Sequence, residues 1–182
     1  MATTAIARPH TARPAPIGGW SLIVGGAAFG AFWAVSPTSI DDVLPWIAGL
    51  AVHGVSIVAL ATGLLLLAFA ALRGPSGRWI AAGAGVAILG LLTVFPLFPA
   101  GLAVVAWGLW RDGWPRIATV PTLVGASGLL ILAVGRYVAV GAAIAGDEGA
   151  PGLAPTLAAA FVATIVLTAA GLIGLGVVRR RG

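Results

Sequence analysis

"TVFPLFPAGL", residues 93–102, lies inside an apolar run that starts at Trp79 and stops at Trp110. A helix rises about 1.5 Å per residue and the hydrocarbon core of a bilayer is ~30 Å thick. The run is therefore long for one crossing and short for two, and its parity decides the architecture. Arg73 and Arg78 precede it; Arg111 and Arg116 follow it. Arginines gather in short cytoplasmic loops, so both ends belong on one side and the run crosses an even number of times. Residues 79–96 would span roughly 27 Å and residues 99–114 roughly 24 Å. Trp79, Trp107, Trp110 and Trp114 extend the usable length by sitting at the inner interface. Pro96 and Pro99 suit an outer turn, with Pro99 opening the second helix where its missing N–H costs no hydrogen bond. The expectation is a short two-helix hairpin, with a re-entrant loop as the alternative.

The rest of the chain supports a membrane setting. Of 182 residues 60% are hydrophobic and only 8% charged, too few charges to cover a soluble domain, which carries roughly 25%. Several stretches reach the ~20 apolar residues of a helical span, and none alternates as a barrel strand would. Helices satisfy their own backbone in lipid, so the expected class is an all-α membrane protein. Absence of cysteine excludes disulfides, thiolate metal sites and thiol catalysis. All ten basic residues are arginine, and their positions read as topology signals rather than as a nucleic-acid footprint. With 27 glycines, the composition suggests a GC-rich bacterial genome.

Residues 1–16, rich in proline and without an apolar run, read as a disordered cytoplasmic tail. Residues 17–182 form a single transmembrane domain with spans at about 17–35, 47–72, 79–96, 99–114, 119–145 and 156–178. The first apolar stretch is longer than a signal peptide needs and is kept as a helix. Arg8, Arg13, Arg179, Arg180 and Arg181 place both termini inside, in a plasma (inner) membrane. The result is a six-transmembrane-helix bundle with helices 3 and 4 as the hairpin. Asp41, Asp42, Asp147 and Glu148 then face outward, and Asp112 is expected to pair locally with Arg111 and Arg116.

The stretch "FPAGLAVVAWGLWRDGWPRIATVPTLVGASGLL" (98–130) carries a resemblance. Pro99, Gly101 and Leu102 open a helix that ends in Leu109 and Arg111, and Gly113, Pro115 and Arg116 link it to the next. This resembles uncharacterised multi-pass membrane protein families of bacteria, of an actinobacterial type, over about a fifth of the chain. The resemblance implies the hairpin and no particular chemistry.

Ionisable residues within spans are functional candidates because lipid penalises them. Arg136 falls roughly 13 Å and His53 roughly 9 Å below the outer surface. Together with Tyr137, Asp41, Asp42, Asp147 and Glu148 they outline a ligand or ion pocket open to the outside. The bland readings compete: Arg136 can snorkel outward along its stem, and His53 can be a neutral imidazole bonded to a neighbouring helix. One histidine in the membrane supports neither haem b nor a transition-metal cluster, and no cofactor is expected. Ser56, Thr62, Thr164 and Thr168 can bond back to their own helices. Gly26, Gly30 and Ala34, and likewise Gly83 and Ala87, form small-residue stripes that allow close helix packing, within the bundle or against another membrane protein or a second copy. Nothing resembles a catalytic triad, a Walker loop or a metalloprotease pair. The expected function is a non-enzymatic accessory or partner-binding subunit. A small transporter or channel-like protein using the pocket around Arg136 and His53 comes second, and an enzyme acting on lipid or isoprenoid comes last.

Overall fold

The computed structural model describes residues 16–35, 43–93, 95–144 and 155–181. Among them are six helices: α1 (Pro16–Val35), α2 (Val43–Ala71), α3 (Gly77–Leu92), α4 (Leu97–Arg111), α5 (Arg116–Ile144) and α6 (Pro155–Arg181). Three contain apolar stretches long enough to cross a membrane, Ile47–Ala71, Arg116–Arg136 and Ala159–Arg180. The apolar parts of α1, α3 and α4 are shorter.

The stretch around residues 93–102 is a turn between two helices. α3 stops at Leu92, the residue whose carbonyl the ring of Pro96 would strike in a continued helix, and Thr93 turns its hydroxyl back to the Leu89 carbonyl at 2.7 Å. α4 opens at Leu97, two residues before the expected start, so Pro99 sits in the first turn rather than at its head. The cost is still nil, since first-turn N–H groups have no partner inside a helix. The two helices run antiparallel at backbone contact. A Cβ on Gly90 would strike the Phe98 amide, and one on Gly101 would strike the backbone of Ala87 and the Gly83 carbonyl. At 16 and 15 residues the two helices reach about 24 and 22 Å.

The far end of α4 is closed by a Schellman motif. Gly113 has a φ of +80°, the left-handed region, Gly113 N–H donates to Trp110 O at 3.1 Å and Trp114 N–H to Leu109 O at 3.0 Å. Pro115 follows, and its carbonyl accepts the N–H groups of Ala118 and Thr119 in the first turn of α5.

Each helix packs against the next in chain order, and α6 returns to α1, closing a six-helix ring. Leu22, Leu60, Leu64, Leu102, Leu129 and Leu172 fill its centre. Phe29 of α1 meets Phe98 of α4 across the middle, ring centroids 5.4 Å apart. In lipid this core is held by close packing rather than by expulsion of water. Small residues permit that closeness: Gly26 and Gly30 face Leu172 and Ala169 of α6, while Gly83 and the fully buried Ala87 face Gly101. The side chain of Ala34 lies outside the described residues, as do residues 1–15 of the expected tail.

Alternation of direction brings one end of every helix together. Arg73, Arg78, Arg111, Arg116, Arg179 and Arg180 all lie at the end where α1, α3 and α5 begin and α2, α4 and α6 finish. Trp79 and Trp107 meet there edge to face at 6.2 Å, and the Arg111 guanidinium lies 5.0 Å from the Trp107 ring centre.

Candidate functional site

His53 is half-buried on α2, and its imidazole stacks on Phe32 of α1 with centroids 4.3 Å apart and planes 30° from parallel. Its Nδ1 is buried without a hydrogen-bond partner. Beside it stands an aromatic cluster: Trp33 packs on Phe32, Phe95 and Phe161, at 5.4, 5.6 and 5.3 Å. The Trp33 indole N–H is likewise buried and unpartnered. Helix phase explains the grouping, because Phe29, Phe32 and Trp33 fall on the inner face of α1 while Phe95 and Phe98 flank the α3–α4 turn.

Arg136 is elsewhere. Its side chain is exposed on α5, and α2 and α5 are not neighbours in the ring, so the fold does not bring it to His53. Twenty residues separate it from Arg116, the first residue of α5, a rise of about 30 Å. Arg116 and Arg136 thus bracket one bilayer thickness. Tyr137 belongs to α5 but its side chain, like Asp41, Asp42, Asp147 and Glu148, lies outside the described residues. Among the described residues no group of histidine and acidic side chains could hold a metal ion.

Three polar residues behave differently from expectation. Asp112 does not form its expected local pair: its Oδ1 accepts the N–H of Ser76 at 3.1 Å, tying the α4–α5 turn to the α2–α3 turn. Ser56 donates across to the Gly25 carbonyl of α1 at 3.3 Å instead of back along its own helix. Thr164 and Thr168 do bond back, to Phe161 and Thr164. The third is Arg179, read from the sequence only as one of three terminal arginines that mark the cytoplasmic side. It is only 4% exposed. Its Nη2 donates to the Leu66 carbonyl of α2 at 2.8 Å, while Nε and Nη1 are buried without partners. α6 continues to Arg181, beyond the expected end at 178, and successive helical residues point about 100° apart, so the terminal arginines do not share one direction. Arg180 is exposed, its guanidinium 3.8 Å from the Trp20 ring centre.

On the outer surface, Ala27, Ala28 and Ala31 of α1 and Ala51, Val52 and Val55 of α2 line an open groove of about 440 Å³. Its walls are almost wholly apolar. No family model, curated protein or solved structure matches the chain. What is established is an all-helical chain with apolar helices suited to a bilayer.

Proposed function

We propose that the chain crosses a bacterial plasma membrane six times with both termini cytoplasmic, and acts there as a non-enzymatic, partner-binding subunit. Clustering of the described arginines at one end of the ring favours that orientation, apart from Arg136. The resemblance of residues 98–130 to uncharacterised bacterial multi-pass families agrees with it. Partner binding rests on one observation, the groove between α1 and α2. Small side chains there leave a trough on a face otherwise ridged by exposed residues such as Val24 and Val58, and such troughs let a second helix approach closely. A photo-crosslinking residue at Ala31 in native membranes should give a discrete protein adduct that Ala51→Trp abolishes. Lipid adducts alone would remove the proposal.

A transporter or channel-like role around Arg136 and His53 has one observation in its favour, the unpartnered Nδ1 of His53 and indole N–H of Trp33. It predicts that a cysteine replacing His53 reacts with a small water-soluble thiol reagent added outside. An unreactive cysteine there would rule it out.

A further inference from the structure

Among the described residues no acidic side chain meets the charge of Arg179. The side chain is 4% exposed, and two of its three nitrogens have no acceptor. A buried guanidinium is tolerated when its donors are paired and its charge is met. The carbonyl of Leu66 satisfies Nη2 alone. Asp112, the acid at this end, is engaged by Ser76 in the neighbouring turns. The chain's other acids, Asp41, Asp42, Asp147 and Glu148, lie outside the described residues.

The first turn of α1 adds positive potential beside Arg179. A Cβ on Gly18 would lie 2.9 Å from Arg179 Nε and 3.0 Å from Cζ, so the guanidinium rests on the first turn of α1. That turn presents N–H groups without partners inside the helix and the positive end of the helix dipole, a combination that attracts anions. Gly18 and Gly19 place no side chain over these groups. Arg180 follows on the same turn of α6, exposed and stacked on Trp20, a residue type typical of headgroup depth. We propose that the junction of the last turn of α6 with the first turn of α1 is a site for a phosphate-bearing anion, with Arg179 as the inner and Arg180 as the outer cation. Oxygen atoms of the phosphate accept from the free Arg179 donors and the first-turn N–H groups in charge-assisted hydrogen bonds. Two sources supply that chemistry, an anionic phospholipid headgroup and free phosphate. The inference concerns this site alone and does not depend on partner binding at the α1–α2 groove.

The test uses the full chain in phosphatidylcholine nanodiscs. Thermal melting is followed as phosphatidylglycerol is introduced into the bilayer, and separately as inorganic phosphate is added at constant ionic strength. Stabilisation by the first identifies a lipid ligand and by the second a soluble one. Arg179→Gln should weaken the effective affinity about tenfold, the loss of one hydrogen bond to a charged group, whereas Arg78→Gln, an exposed arginine at the same end, should leave it unchanged. Equal losses from both variants would mean a diffuse basic belt and overturn the site. Should Arg179→Gln not fold, the natural chain still decides: no response to either probe overturns the proposal.

Discussion

Replacing Gly101 with alanine tests a backbone contact between α3 and α4, and Gly85→Ala in the partner helix supplies its control. Both glycines are helical, so each substitution gains about 1 kcal/mol of helix propensity. At Gly85 nothing lies within 4 Å of the added methyl, and the gain stands alone. At Gly101 the methyl meets backbone atoms of Ala87 and the carbonyl of Gly83, which have no rotamer to yield. Overpacking typically costs about 1–3 kcal/mol, and rigid backbone places this case at the top of that range. After the propensity gain, Gly101→Ala should be destabilised by about 2 kcal/mol, and Gly85→Ala stabilised by about 1. With a few degrees per kcal/mol for a chain of this size, the two variants should melt roughly 5–10 °C apart on opposite sides of the natural protein. Tryptophan fluorescence of the protein in mild detergent reads this directly. If Gly101→Ala melts at or above the natural protein, α3 and α4 are not in backbone contact and the hairpin geometry is wrong.

Three further outcomes follow from the same structure. A cysteine replacing Ala100, in a chain that has no other, should react with an impermeant maleimide applied to intact cells; labelling confined to inside-out vesicles would reverse the proposed orientation. Asp112→Ala removes the acceptor for Ser76 N–H and should cost about 1–2 kcal/mol, seen as a lower melting temperature, with no change if the two turns are not coupled. His53→Phe keeps the stack on Phe32 and deletes an unpartnered nitrogen, so stability should hold or rise by about 1 kcal/mol; a marked loss would mean that Nδ1 has a partner in the membrane.

The helical class and the number of helices were legible because they depend on local quantities. Run length, proline position and the arginines at the ends of each run are properties of short segments. Pro96 and Pro99 marked the reversal to within two residues, whereas α4 closes at Arg111, three residues before the expected end at 114. The candidate site was less legible. Arg136 and His53 were singled out for their depth, but depth says nothing about direction around a helix axis, and the ring places them on helices that are not neighbours.

Direction around the axis is what the sequence leaves open here. These helices are apolar on every side, so no polar face marks the outward one. Composition together with unbroken apolar runs pointed to a helical chain suited to lipid, since of the two folds that satisfy their backbone there a barrel would alternate polar and apolar residues. Only the tertiary structure decided which arginine of the last three turns inward, that Ser56 bonds to α1, and that Asp112 caps a turn 36 residues away. Those facts depend on helical phase and on which helices meet, and both are set by packing of the whole ring rather than by any one segment.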